Sequence, residues 1–126
     1  MTVLWVAIGG ALGAVARFLL ANDIQARIEH QVFGVPASTL MVNIIGSTVI
    51  GVFYVLVVEK GSFNPQLQSL MMIGFLAAFT TFSTFSLDSI HLLQAGHYAL
   101  AIGYIIVSVV VCIGMCMLAM QITRLI

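Results

Sequence analysis

Residues 98–123 read YALAIGYIIVSVVVCIGMCMLAMQIT, a run without a single Asp, Glu, Lys or Arg. A helix needs roughly 20 mostly apolar residues to cross about 30 Å of hydrocarbon, so this run can span a bilayer. Backbone groups in lipid must be paired within the segment, and membrane strands are shorter and alternate apolar with polar residues. The stretch therefore reads as a transmembrane helix.

The rest of the chain repeats the pattern. Its charged residues are Arg17, Asp23, Arg27, Glu29, Glu59, Lys60, Asp88 and Arg124, which leave 1–16, 30–58, 61–87 and 89–123 uncharged. Four spans follow, near 2–20, 37–58, 67–95 and 98–123, within one transmembrane domain covering 1–126. The fold class is all-α integral membrane. Composition agrees: 126 residues, 62% hydrophobic and 6% charged, with mean hydropathy +1.20. A soluble domain carries about a quarter charged residues, and a disordered chain is charge-rich and poor in apolar residues. Zero formal net charge lacks the basic footprint of nucleic-acid binding, and two cysteines do not make a disulfide scaffold.

The connections are short. Segment 21–36 holds the polar cluster Asn22 to Gln31 and ends at Pro36, segment 59–66 is a turn and helix start, and the third connection lies around Gly96. Ala14-Val15-Ala16 has the small-x-small form of a signal cleavage site, but residues 1–10 carry no Lys or Arg. The first span is read as a retained helix, with Arg17 at its end snorkelling to the interface.

Four spans place Lys60 and Arg124 on one side and Arg17 and Arg27 on the other, a balance without the usual positive-inside bias. Insertion in both directions is the expectation. Gly9 and Gly13, Gly10 and Ala14, and Ser47 and Gly51 stand at the small-xxx-small spacing that lets helix backbones approach closely, within one subunit or between two. Four helices are thin material for enclosing a polar pathway. Together with dual insertion this favours a two-fold antiparallel dimer.

Polar residues inside hydrocarbon are costly and default to functional candidates. Thr39, Asn43 and Ser47 recur every fourth residue and share one helix face, as do Tyr104, Ser108 and Cys112. The most informative stretch runs from Gly74 to Ser86. In Thr80-Thr81-Phe82-Ser83-Thr84-Phe85-Ser86, five hydroxyls and two phenyl rings interleave within seven residues. Thr and Ser compete for backbone hydrogen bonds, so an interruption of the third helix near 77–81 is expected. Irregular backbone at membrane depth is tolerated where it lines a cavity, and freed carbonyls or hydroxyls there can hold an ion. Phe82 and Phe85 share a face; presented edge-on, their rings favour an anion. Asp88 follows, at a possible vestibule.

Nothing in the sequence forms a Ser-His-acid set, a phosphate loop or a metal-ligand cluster, so an enzyme is not expected. Cys112 and Cys116, four apart without His or carboxylate neighbours, read as small hydrophobes rather than a zinc site.

Taken together, these residues resemble the small bacterial fluoride channels, the Fluc or CrcB family, over essentially the whole chain. The resemblance lies in Gly9-Gly10-Ala11-Leu12-Gly13-Ala14 with Arg17-Phe18, in Gly34-Val35-Pro36 to Thr39-Leu40 with Asn43 and Gly46, and most specifically in Gly74-Phe75 followed by 80–86. It implies a fluoride-selective channel of the bacterial cytoplasmic (inner) membrane, exporting the anion passively as an antiparallel, dual-topology homodimer with two pores. It also implies a fluoride pathway along Asn43, Thr81, Phe82, Ser83, Phe85, Tyr104 and Ser108. A structural sodium ion at the dimer centre would be held by the main-chain carbonyls of Ala77 and Thr80. Members usually carry Gly-Gly where this chain has Ala77-Ala78, and Glu where it has Asp88. Alanine offers the same carbonyl but resists positive φ.

Two other readings compete. A proton-coupled multidrug-resistance-type exporter is also short, four-helical and dual-topology, but uses a carboxylate buried in its first helix, and span 2–20 has none. A non-conducting partner subunit is the third, against which stands the intact Asn43, Phe82 and Phe85 set.

Overall fold

The computed structural model describes residues 2–28 and 34–126. Among these residues every regular element is helical, and four helical segments are long and apolar enough to cross a membrane: Thr2–Ile28, Ala37–Glu59, Pro65–Gln94 and Tyr98–Arg124. We label them α1 (Thr2–Ile28), α2 (Ala37–Glu59), α3 (65–79) and α4 (Phe82–Gln94) for the two halves of the third span, and α5 (Tyr98–Arg124). Of the polar connection read at 21–36, residues 29–33 lie outside the described residues.

The first helix continues past the apolar run that betrays it. Asp23 accepts from Arg27 one turn on, at 2.8 Å, the spacing that stabilises an exposed helix end. Arg17 is consequently not at the end of the helix as its position in the apolar run suggests. It sits within α1, and its Nε is buried without a partner.

Helices α1 and α3 run parallel in backbone contact. A β-carbon on Gly9 would run into the Leu70 carbonyl oxygen and one on Gly13 into that of Phe75; on Gly74 it would lie 2.7 Å from the Val6 carbonyl oxygen. The Gly9/Gly13 stripe is thus consumed inside the chain. Gly10 has open space where its β-carbon would be. Over Ser69–Leu76, α3 winds in the wider π form, a distortion that often accompanies function.

Helices α2 and α5 form the second parallel pair. A β-carbon on Gly51 would lie 2.6 Å from the Cys116 carbonyl oxygen, which places Gly51 in this seam. The pair is tied at one end, where Arg124 donates twice to Glu59, at 2.9 and 2.6 Å, and Lys60 Nζ donates to the Thr123 carbonyl at 3.2 Å. Phe85, Leu92, Ala101 and Tyr104 cluster between α4 and α5. Val42, Val55 and Leu76 are the large side chains most fully buried. Leu12, Val15 and Leu19 on α1, and Ile102, Ile106 and Val110 on α5, are exposed. Apolar surface on that scale is stable against lipid or another protein surface, not against water.

Candidate anion pathway

The third span breaks at Thr80-Thr81. Ala77–Phe79 is still helical; Thr80 then turns to ψ 155° and Thr81 to φ −146°, ψ 112°. The interruption is therefore shorter than residues 77–81 and sits at its C-terminal edge. Thr81 caps the helix that follows, its Oγ1 accepting from the Thr84 N–H at 3.2 Å. Across the bundle, Asn43 on α2 secures the extended residue. Its Oδ1 accepts from the Thr81 N–H at 2.8 Å, and its Nδ2 donates to the Thr81 carbonyl at 3.0 Å. A β-carbon on Gly46 would collide with the Thr80 γ-methyl, so only glycine lets α2 approach the break this closely.

These bonds redirect two amides. In an uninterrupted helix the Thr81 N–H would serve the Ala77 carbonyl and the Thr84 N–H the Thr80 carbonyl. Here the first goes to Asn43 and the second to the Thr81 hydroxyl. The Ala77 and Thr80 carbonyls thereby lose their helical donors. Ala77 itself has φ −66°, ordinary right-handed geometry, so alanine sits there without strain.

Beside the break a groove of about 410 Å³ opens on the surface of the chain. Asn43 and Ser47 line it from α2, Thr80, Thr81, Phe82 and Phe85 from the broken span, and Ser108 and Cys112 from α5. The rings of Phe82 and Phe85 stand 5.4 Å apart, tilted by 48°. Phe85 is 9% exposed and packs on Tyr104, ring centroids 5.5 Å apart; Phe82 is 78% exposed. Ser108, only 5% exposed, has no partner for its hydroxyl, and neither has the buried Tyr104 hydroxyl. A buried hydroxyl left unmade costs about 1–3 kcal/mol; the Tyr104 hydroxyl has Thr39, Asp88 and Ser108 close by, whereas Ser108 lies in the wall of the groove.

The family model described as "CrcB-like protein, Camphor Resistance (CrcB)" matches residues 4–120. The chain belongs to the CrcB family. Among its relatives, a protein of Saccharophagus degradans is 46% identical over 125 residues, which cover 97% of this chain and 90% of the relative. One of Magnetococcus marinus is 40% identical over the full length of both, and one of Hahella chejuensis 43% identical over 98% of this chain and 95% of its own. All three are named fluoride-specific ion channel FluC.

In this CrcB chain the residues singled out by sequence do not all meet. Asn43, Thr81, Phe82, Phe85 and Ser108 share the groove, while Tyr104 stands behind Phe85. Ser83 is exposed, 3.3 Å from the Thr81 hydroxyl and outside the groove lining. Several hydroxyls of the motif are already committed. Thr80 donates to the Leu76 carbonyl at 3.0 Å, Thr81 to the Thr84 hydroxyl at 3.0 Å and Ser86 to the Phe82 carbonyl at 2.9 Å. Thr39, on the Asn43 stripe, donates to Asp88 at 2.7 Å and is thereby turned to α4. Two groove residues, Ser47 and Cys112, lie on the four-residue stripes but were read from sequence as packing residues, Ser47 with Gly51 and Cys112 with Cys116, and not as part of the pathway.

Proposed function

We propose that this chain is a fluoride-selective channel of the bacterial inner membrane that lets cytoplasmic fluoride leave down its electrochemical gradient and so limits its toxicity. The observation that carries the reading is the groove in which the Ser108 hydroxyl, free and buried, stands with Asn43 and the Phe82–Phe85 pair. Full-length kinship with proteins named fluoride-specific channels agrees with it.

Fluoride is small and holds its water tightly, so a pathway must offer hydrogens before the ion sheds its shell. Ser108 offers a hydroxyl hydrogen. Asn43 uses one amide hydrogen on the Thr81 carbonyl and retains the second, since the amide carries two. Phenyl edges are electropositive and complete the lining without a full charge. The ion is held well enough to enter and weakly enough to leave.

A second, antiparallel copy closes the groove. Phe82, mid-span and mostly exposed, is half of a lining that the partner completes. The charges suit dual insertion: Lys60 and Arg124 lie toward one side and Arg17 and Arg27 toward the other, a count of Lys and Arg too even to orient the chain. The freed Ala77 and Thr80 carbonyls are hard oxygen donors, and two copies supply four of them. They would hold a structural sodium ion, whose positive charge would steady the joined breaks.

The chain is a transport protein, not an enzyme, in this reading. An exporter of the multidrug type needs a carboxylate buried in its first helix. Asp23 does belong to α1, but it is 55% exposed and paired with Arg27.

The purified chain, reconstituted alone in liposomes loaded with potassium fluoride, is expected to release fluoride passively once valinomycin clamps the voltage, and to retain chloride. Liposomes that hold fluoride as tightly as protein-free controls overturn the proposal.

A further inference from the structure

One reactive side chain of the groove has no part in the dehydration of fluoride. Cys112 lines the groove on α5, one turn beyond Ser108, and its thiol is free. The wall around it already waits for a ligand: the Ser108 hydroxyl, 5% exposed and unpartnered, lines the same space. Cys116 differs. It is outside the groove lining, one turn further along, where its carbonyl meets Gly51 in the α2–α5 seam. The two cysteines are chemically identical and structurally distinct.

Thiol substitution proceeds through the anionic sulfur, and access decides which cysteine reacts. The lining is largely apolar, with Ile50, Val109 and Ile113 in it, but the Ser108 hydroxyl, the Asn43 amide and the phenyl edges share it and offer hydrogens to a sulfur carrying developing negative charge. The groove, at about 410 Å³, admits a reagent of a few heavy atoms. Once bonded, a methylthio group adds bulk to the space that Ser108, Asn43 and the phenyl pair also line.

We propose that Cys112 is a covalent modification site for small thiol-directed electrophiles, and that its modification closes the anion pathway. The inference rests on the fluoride-channel reading. With methyl methanethiosulfonate the Cys112 sulfur attacks the sulfenyl sulfur of the reagent. A new S–S bond forms and the S–SO2 bond breaks. Methanesulfinate departs with the electron pair, and the thiol proton goes to the buffer. The reagent is itself the oxidant, and dithiothreitol reverses the step.

The test treats the purified protein with methyl methanethiosulfonate before and after reconstitution, measures fluoride efflux, and assigns the modified peptide by mass. Wild type and Cys116→Ser are expected to lose most of their flux, carry the methylthio group on Cys112, and recover with dithiothreitol. Cys112→Ser is expected to keep whatever flux it has when treated. Failure of Cys112 to react, reaction without loss of flux, or block of treated Cys112→Ser overturns the inference. If Cys112→Ser does not assemble, peptide assignment and reversal in Cys116→Ser decide the matter alone. Untreated protein reports separately on the channel reading, since absence of flux there overturns that reading whatever Cys112 does.

Discussion

Asn43 and Thr81 hold each other by two hydrogen bonds, the Thr81 N–H donating to Oδ1 at 2.8 Å and Nδ2 donating to the Thr81 carbonyl at 3.0 Å. One side chain thus does for an extended residue what the next turn of helix would otherwise do. It also diverts the donor that would have satisfied the Ala77 carbonyl. The break in the third span and the chemistry beside it have a common origin in this pair.

Asn43→Ala leaves the Thr81 N–H and carbonyl without partners in a part-buried place, and is expected to cost about 2–4 kcal/mol of stability as well as most of the fluoride flux. Asn43→Asp keeps the acceptor but removes the donor and adds negative charge, so flux is expected to vanish there too. Denaturant unfolding in mixed micelles, followed beside efflux on the same preparations, checks both.

Ser108→Ala is expected to act in opposite directions on stability and function. Its hydroxyl is buried without a partner, so removing it relieves a penalty and leaves stability unchanged or raised by up to about 1 kcal/mol. Flux is expected to fall because a donor is lost. A Ser108→Ala protein that is both less stable and fully conducting contradicts the assignment.

Phe82 and Phe85 are expected to separate cleanly. Phe82, 78% exposed, contributes little to packing within the chain, so Phe82→Ile is expected to stop flux while leaving the fold and the proposed pairing, read by crosslinking, intact. Phe85 packs on Tyr104 in the α4–α5 cluster, and Phe85→Ala is expected to cost about 3–5 kcal/mol of fold stability.

Gly9→Ala drives a methyl into the Leu70 carbonyl and must part α1 from α3, whereas Gly10→Ala meets open space. The first is expected to destabilise by about 1–3 kcal/mol or more, since the obstacle is backbone, and the second by little. Comparative unfolding of the two neighbours tests the α1–α3 contact directly.

Orientation is testable through charge. Two lysines added beside Lys60 are expected to force one direction of insertion, read by reporter fusions at the C-terminus, and to abolish flux by preventing antiparallel pairing. Co-expression with a variant biased the other way, by lysines beside Arg27, is expected to restore it. Wild type found in a single orientation removes the basis for this expectation.

Several expectations needed only the order of residues. The four spans follow from the long apolar runs that end near Arg27, Lys60, Gly96 and Arg124, because the cost of a charge in hydrocarbon is local to the residue that bears it. The same is true of the tendency to break at Thr80-Thr81, where consecutive hydroxyls compete for backbone bonds. Hydropathy was less informative at the ends of helices: α1 outruns its apolar stretch to Ile28, its last turns carrying the buried Ile24 on one side and an exposed Asp23–Arg27 pair on the other.

Tertiary structure alone decided the rest. Spacing placed Thr39, Asn43 and Ser47 on one face, but which of them reaches the groove depends on Asp88 and Thr81, both brought from another helix. It likewise left open whether Gly9 and Gly13 serve contacts within the chain or between chains, and the answer is the α3 backbone. Span, length and polarity are sums over neighbouring residues and can be read in order along the chain. Which hydroxyl is satisfied, which carbonyl is freed and which thiol is reachable are properties of pairs far apart in sequence, and exist only once the helices have packed.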